Sequence, residues 1–152
     1  MSLKVSSANG VLINTTAFRH NTREVRQLAR LKQIKGVVKD NAVGHAIVCS
    51  ARTLEKEGAD AQGVNEVMKG LILRKNGLEL PIFVLGGISD LSQIEPALRQ
   101  NLGLFVPDPE HAKAISAKAK EMNVSAKIHI KVDSGHGRRS FRNDKCQEVL
   151  ED

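Results

Sequence analysis

Residues 34–45 read Ile34-Lys35-Gly36-Val37-Val38-Lys39-Asp40-Asn41-Ala42-Val43-Gly44-His45, an apolar segment followed by a polar loop and the start of a helix. The apolar part predicts a short buried strand that ends at Lys39. In parallel α/β proteins, loops and helix N-termini converge at the carboxyl ends of the strands, and chemistry is placed there. Lys39 is therefore the first candidate for a reactive group, since a partly desolvated amine can form a Schiff base with a carbonyl. A solvated lysine at a strand end is the alternative.

Strands and helices alternate along the rest of the chain with short turns between them. Further strands are predicted at residues 59–64, 81–85, 103–106 and 126–133, and helices at about 45–57, 66–75, 91–98, 109–122 and 145–150. Before them we expect a strand at residues 11–13, and a helix that Thr15 or Thr16 caps. The apolar face of this helix is predicted to consist of Phe18, Val25, Leu28 and Leu31.

This alternation predicts an α/β fold with parallel strands and right-handed crossovers. Five such units amount to a little over half of a (β/α)₈ barrel, which needs about 250 residues. A complete, doubly wound sheet of five strands fits the 152 residues equally well, and periodicity does not choose between them. With only 3% aromatic residues, the core must consist of aliphatic side chains, as buried parallel strands prefer.

Charge and cysteine content limit the classes of partner. The 23 Lys and Arg outnumber the 17 Asp and Glu, but they are spread along the chain without a nucleic-acid motif or an aromatic platform. We therefore expect no nucleic-acid partner. Cys49 and Cys146 form no CxxC pair, and there is no secretory segment or apolar run of about 20 residues. These features predict reduced thiols in a cytoplasmic protein that does not enter a membrane.

The fifth predicted strand alternates apolar and ionisable side chains. The apolar ones are Ile128, Ile130 and Val132, and the ionisable ones are Lys127, His129, Lys131 and Asp133. On a barrel strand the apolar face meets the helices and the polar face looks inward, toward the same end as Lys39. An edge strand with one wet face is the alternative interpretation. The loop that follows, residues 134–139, has two glycines and two arginines, a pattern suited to holding an anionic oxygen.

Two segments resemble the alanine racemase family. Residues 37–45 are similar to V-V-K-A-D-A-Y-G-H, the family's segment around its cofactor lysine, with Lys39, Ala42, Gly44 and His45 in register. Residues 131–138 resemble K-V-D-S/T-G-M-G-R. The sequence between these segments is also similar to the family, so the resemblance covers essentially the whole chain.

The resemblance implies pyridoxal 5'-phosphate as cofactor, in a barrel of the fold-type III class with about five of eight units present. It implies that Lys39 forms the Schiff base and moves the substrate Cα proton, and that Arg138 contacts the cofactor's phenolic oxygen. Lys131 then supports Arg138, while Asp133 and His45 have supporting positions. The implied reaction is the interconversion of L- and D-alanine in D-alanine biosynthesis, with serine as the other possible substrate, in a homodimer or another self-associated form.

Several residues depart from the family pattern. Val43 replaces a tyrosine that helps to hold the cofactor phosphate, Asn41 replaces an aspartate, and Arg139 and Ser140 replace leucine and glycine. We expect residues 1–152 to be the N-terminal portion of the barrel, without the C-terminal β domain, and to be incomplete or inactive alone. The alternatives are a non-catalytic cofactor-binding protein of the homeostasis type, or a degenerate barrel fragment with only a binding role.

The remaining histidines give no clear site. His20 and His111 are interpreted as surface helix residues, and His136 replaces a family methionine without an evident role. No pair of histidines has a convincing metal-ligand spacing with carboxylates or thiols, so we predict no metal.

Overall fold

The computed structural model describes residues 11–138 and 140–141. Five strands alternate with helices along these residues. The strands are β1 (Lys35–Val37), β2 (Ala61–Val64), β3 (Ile82–Val84), β4 (Leu102–Val106) and β5 (Ile128–Ile130). The helices are α1 (Thr15–Ala29), the short turn α2 (Lys39–Val43), α3 (Ile47–Lys56), α4 (Val67–Lys75), α5 (Ile94–Arg99) and α6 (Pro109–Glu121), with a 3₁₀ turn at Leu91–Gln93.

The five strands form one parallel sheet in the order β1-β2-β3-β4-β5. A doubly wound sheet reverses its strand order at a switch point, and no reversal occurs in this sheet. The helices pack on one face: a Cβ on Gly36 would meet Leu54 of α3, and one on Gly70 of α4 would meet Leu102. Consecutive order with one-sided crossovers is the arrangement of a (β/α) barrel, so the fold is a partial barrel of five units.

The core lies between this sheet and its helices. Aliphatic side chains fill it, as the low aromatic content predicts, and the fully buried ones include Val64, Leu73, Leu78, Ile82, Leu102 and Leu104. Gln62 is also buried, and its Nε2 donates to the carbonyl oxygen of Ala51, which fixes α3 against β2. Each strand thus places alternate side chains into this layer and the others onto the opposite, inner face of the sheet.

The inner face carries aromatic rings and cations. The Lys35 ammonium lies 3.9 Å from the ring centroid of Phe83, and the His129 ring meets Phe83 edge-on at 4.2 Å. Phe105 lies 5.4 Å from His129 on the other side. These contacts confirm that His129 faces inward, away from Ile128 and Ile130, as the alternation in the fifth strand predicted. Burial lowers the pKa of Lys35, and burial followed by the charge of Lys35 lowers the pKa of His129.

Helix α1 differs from the prediction. Three of the side chains assigned to its buried face are exposed: Val25 at 52%, Leu28 at 83% and Leu31, just beyond the helix, at 100%. The helix attaches instead through its polar side. Arg23 bonds to Glu57, and Arg26 bonds to Asp60 and to the carbonyl oxygen of Gly58. The apolar stripe Val25–Leu28–Leu31 therefore stays open to solvent.

The segment before α1 was also predicted wrongly. Residues 11–13 form no strand, and the N-cap is Asn14, whose side chain accepts from the N–H of Ala17, in place of Thr15 or Thr16. An asparagine amide oxygen caps a helix as well as a hydroxyl does. The predicted helix at 145–150 and Cys146 lie outside the described residues, and Cys49 is an exposed thiol. None of the described helices has the length and apolar character required to cross a bilayer.

Replacing Lys35 tests the coupling on the inner face. Lys35→Met removes the positive charge beside His129, so we expect the pKa of His129 to rise toward its ordinary value. Because a lowered histidine pKa means that the unfolded chain takes up a proton first, the wild-type protein loses stability as the pH falls below that ordinary value. The Lys35→Met variant should lose less stability over the same fall in pH. NMR titration of the imidazole and acid unfolding measure both effects.

The control for this experiment is Lys32→Met, which removes an exposed lysine from the loop before β1. It keeps the net charge equal to that of the Lys35 variant. A His129 pKa that moves equally in both variants would show that only total charge matters, and would contradict the local coupling.

Candidate active site

Lys39 lies at the carboxyl edge of the sheet, directly after β1. It is exposed, whereas Gly36 and Val38 are buried, and it is the first residue of α2, so the strand alternation that sets Lys35 and Val37 on the inner face ends before it. The Lys39 side chain forms no hydrogen bond or ion pair within the part of the chain that the structure describes. An unengaged amine at the carboxyl edge of a parallel sheet is available for chemistry, and the reactive role of Lys39 stays a prediction.

The chain turns sharply after Lys39 through backbone of left-handed geometry. Asp40, Asn41, Ala42 and Val43 have φ values of 53°, 57°, 55° and 53°. For residues with a Cβ this conformation costs roughly 1–2 kcal/mol each, so the surrounding structure must hold it. Of these residues only Asn41 and Asp40 belong to the types that tolerate the conformation locally.

Side chains of the turn supply part of that support. The Asn41 Oδ1 accepts from the N–H of Ile47 at 2.9 Å and thereby satisfies the start of α3. The Nδ1 of His45 lies 2.9 Å from the carbonyl oxygen of Ala42 and 3.0 Å from that of Val43. Since both partners are acceptors, Nδ1 carries the proton. His45 therefore contacts the backbone of the turn that follows Lys39.

Asn65 is a site residue that the sequence analysis missed. Val37 pairs with Gly63 in the parallel register, and Asn65 follows directly after β2, beside the turn that begins at Lys39. Its Nδ2 donates to Asp40 Oδ1 at 3.2 Å. Only its position in the sequence could have identified Asn65. It follows the carboxyl end of β2, as Lys39 follows that of β1.

The loop after β5 is organised around Asp133. Its Oδ1 accepts from the N–H groups of Gly135 and His136 at 2.9 Å, and Gly137 donates to both carboxylate oxygens. These backbone bonds, led by that of Gly135, lower the pKa of Asp133. Asp133 therefore bonds to its own loop. The N–H groups of Gly135, His136 and Gly137 are thereby satisfied.

Lys131 and Arg138 complete the set of candidate residues. Lys131 is half-buried two residues beyond His129, and Arg138 is exposed in the loop that Asp133 holds. Neither contacts Lys39 among the described residues. Four strand spacings separate β1 from β5, about 19 Å on a flat sheet at ~4.8 Å each. In an eight-stranded barrel these two strands would face each other across the mouth, which would set Lys39 and Arg138 on opposite walls of one opening.

His111 is not the surface residue that the sequence suggested. Its ring is largely covered, with Nδ1 2.7 Å from Asp108 Oδ1 and Nε2 2.7 Å from the carbonyl oxygen of Ile88. It joins the start of α6 to the loop after β3. Within residues 11–138 and 140–141, no group of three or more His, Cys, Asp or Glu is arranged to hold a metal ion.

The Asp133 loop generates a prediction about pH. Because the folded-state pKa of Asp133 lies below its unfolded value, the loop stabilisation is complete above that unfolded value, about 3.9, and is lost as the pH falls through the lower folded value. Asp133→Asn should speed amide hydrogen exchange at Gly135, His136 and Gly137, and should remove this acid dependence. The Ala17 amide, which the neutral Asn14 caps, is the internal reference. Equal protection of the loop amides in both proteins would contradict this role.

Comparisons with known proteins agree with this geometry. Residues 13–152 match the family model described as alanine racemase, N-terminal domain. An alanine racemase from Clostridium novyi (strain NT) is 38% identical over 129 residues, which are 85% of this chain and 33% of the relative. A solved alanine racemase from Clostridium difficile 630 has a TM-score of 0.81 at 33% identity, covering 90% of this chain and 36% of that one.

A histidine racemase from Leuconostoc mesenteroides subsp. sake NBRC 102480 superimposes equally well. Its TM-score is 0.83 at 26% identity, over 90% of this chain and 37% of that chain. The chain therefore spans about a third of the length of the relatives it matches. The match from residue 13 onward, together with the partial barrel, shows that this chain belongs to the alanine racemase N-terminal domain family.

Proposed function

We propose that residues 1–152 supply the lysine-bearing portion of the barrel of a pyridoxal-phosphate-dependent alanine racemase. The observation that carries this proposal is the position of Lys39: an exposed, unengaged amine at the carboxyl edge of the sheet, just beyond β1, in a chain of this family. The share of the relatives that the chain covers supports the expectation that the chain alone turns over little substrate.

The residues present fit an aldehyde that carries anionic substituents. Lys39 offers the amine that an aldehyde requires, and the cations Lys131 and Arg138 lie on the opposite wall of the mouth. Asp133 is engaged with its loop and does not neutralise them. Val43 is 71% exposed where the family pattern has a phosphate-holding tyrosine, so that contact is missing from this side of the mouth. When bound, pyridoxal phosphate supplies an electron sink for the substrate carbanion.

The chain's own residues then have distinct roles. Lys39 Nζ would hold the cofactor through its aldehyde and would be the group that takes and returns the Cα proton on one face of the amino acid. Arg138 holds an anionic oxygen with its guanidinium fork, and Lys131 adds positive charge beneath it. Asp133 fixes the loop that carries Arg138, and His45 fixes the turn that follows Lys39.

The choice of substrate rests on the relatives. Two of the relatives described above are alanine racemases, and one whose fold is equally similar is a histidine racemase. Because one fold accommodates both, the fold does not select the side chain of the substrate. We propose alanine, with serine as the competing small substrate, and place the chain in the cytoplasm, where D-alanine biosynthesis occurs.

Chemical trapping tests the role of Lys39. The chain is incubated with pyridoxal phosphate, reduced with borohydride and digested, and mass spectrometry identifies which lysine carries the pyridoxyl group. In this reaction the lysine amine condenses with the aldehyde, water leaves, and borohydride delivers hydride to the new carbon–nitrogen bond. We expect modification at Lys39, with a visible absorption band near ~420 nm before reduction that Lys39→Ala removes.

Lys35→Ala is the matched control, since Lys35 lies four residues before Lys39, at the start of β1, but its ammonium is engaged with the ring of Phe83. It should leave trapping at Lys39 intact. Uniform modification of surface lysines, with no preference for Lys39, would refute cofactor binding. Specific trapping without racemisation of alanine would favour the second candidate, a cofactor-binding protein without turnover, which the short span relative to the relatives also supports.

We further propose that the chain self-associates through the apolar stripe Val25–Leu28–Leu31. This stripe lies beside a groove lined by Phe18, Val37 and Val43, at the side of β1 that carries no further strand among the described residues. Open strand edges and contiguous exposed apolar groups favour association.

A glutamate in the stripe should weaken this association. Leu28→Glu is expected to raise the dissociation constant of the assembly about tenfold or more, since burying a leucine contributes roughly 1.5–3 kcal/mol. Sedimentation equilibrium measures it. Leu91→Glu is the matched control, since Leu91 is an exposed leucine on the 3₁₀ turn and outside the stripe. It should leave the dissociation constant unchanged. A wild-type chain that remains monomeric at high concentration would eliminate the proposal.

A further inference from the structure

We infer that Asn65 is a positioning residue for Lys39, acting through the left-handed turn at residues 40–43. The inference rests on the proposed role of Lys39 in binding an aldehyde. Asn65 itself touches neither the amine nor any reacting atom. Its part is to hold the backbone from which Lys39 projects.

The location of Asn65 is fixed by its backbone. The register pairs Val37 with Gly63, and the N–H of Val38 donates to the carbonyl oxygen of Gly63 at 2.8 Å, so Asn65, directly after β2, lies beside the start of the turn. On the other side, a Cβ at Gly86 would come within 2.2 Å of the carbonyl oxygen of Asn65. The glycine after β3 therefore lets the chain close onto Asn65, which leaves this residue little freedom to shift.

The side chain of Asn65 has one possible orientation. Its Nδ2 donates at 3.2 Å to Asp40 Oδ1 and at 3.2 Å to Glu66 Oε1. Rotating the amide by half a turn would set its carbonyl oxygen against two carboxylates, which repel it. Both amide hydrogens are thus used by carboxylates, and one of these belongs to the first residue of the strained turn.

The remaining oxygen of Asn65 is buried and has no partner among the described residues. A buried carbonyl without a hydrogen bond lowers stability, so a side chain selected only for stability would not leave one. An apolar side chain here would avoid the cost but would lose the bond to Asp40. The bond to the turn is therefore the property of Asn65 that explains its presence.

The turn depends on contacts of this kind. Asp40 through Val43 have positive φ, and the other side-chain supports, from Asn41 and His45, act on the later part of the turn. Asn65 is the described side chain outside the turn that bonds to its first residue. Without it, Asp40 can relax toward ordinary extended backbone, and the direction of Lys39, one residue earlier, changes with it.

The experiment exchanges the two partners. Asn65→Ala, Asn65→Asp, Asp40→Asn and the double variant Asp40→Asn/Asn65→Asp are made in a Glu66→Gln background, so that a carboxylate at position 65 faces only position 40. Three quantities are measured: the pyridoxal phosphate concentration for half-maximal trapping at Lys39, amide hydrogen exchange at Ala42 and Gly44, and the denaturant midpoint of unfolding. The amides of Ala42 and Gly44 donate to the carbonyl oxygens of Val38 and Asp40, so their exchange reports the turn without any cofactor.

We expect Asn65→Ala to raise the half-maximal concentration about tenfold and to speed exchange at Gly44, with an unchanged unfolding midpoint. Asn65→Asp should raise the half-maximal concentration and speed exchange at Gly44 further, because two carboxylates then face each other. The double variant, which restores an amide-to-carboxylate bond in the reverse direction, should recover most of both losses. Asn76→Ala is the matched control, because the Asn76 side chain bonds to the carbonyl oxygen of Ile72 in α4 and not to the turn. It should change neither the half-maximal trapping concentration nor exchange at Gly44.

The outcomes separate the two proposals. If trapping is specific for Lys39, and Asn65→Ala has the same half-maximal concentration and the same exchange at Gly44 as the wild-type chain, the role of Asn65 is overturned. The proposed function would still stand. Losses in trapping that follow the unfolding midpoint, without recovery in the double variant, would show a merely structural residue and would also overturn it. Absence of specific trapping in the wild-type chain would refute the proposed function and, with it, this inference.

Discussion

One-sided packing of helices on a parallel sheet is the constraint on which the rest of this molecule depends. Each crossover returns the chain along the same face, so the strands follow one another in sequence order. Two consequences follow directly. All carboxyl ends lie along one edge, which brings Lys39, Asn65 and the loop after β5 to the same level. The other face receives no helix, and its side chains are free to be polar.

The carboxyl edge is held by hydrogen bonds between side chains and backbone at both of its ends. At β1, Asn41 accepts from the first N–H of α3, and His45 contacts a carbonyl oxygen of the left-handed turn. At β5, Asp133 gathers three consecutive N–H groups into one carboxylate. In each case a polar side chain fixes backbone near a cation, and that cation forms no hydrogen bond or ion pair with the residues that the structure describes. That division is what a site requires: rigid support for groups whose own bonding capacity is reserved for a ligand.

Sequence reasoning succeeded where periodicity and local chemistry agree. The alternation in the fifth strand correctly set His129 inward, and the Lys39 segment correctly ended a strand at the sheet edge. It failed where contacts between residues far apart in sequence determine which side chains are buried or bonded. The stripe of Val25, Leu28 and Leu31 has helical spacing for a core, but Arg23 and Arg26 attach α1 through the opposite side. His111 and Asn65 were missed for the same reason, because their partners, Ile88 and Asp40, are more than twenty residues away in sequence.

The inner face bears on how this sheet can be completed. Phe83, Phe105 and His129 surround the Lys35 ammonium, and no carboxylate pairs with it among the described residues. If further strands enclosed this face completely, the ammonium would lose its water while keeping only the attraction of the rings. That attraction, about 0.5–2 kcal/mol, is smaller than the several kcal/mol required to bury an unpaired charge. A closed barrel built on this sheet therefore needs a carboxylate or retained water at the level of Lys35, below the mouth where Lys39 lies.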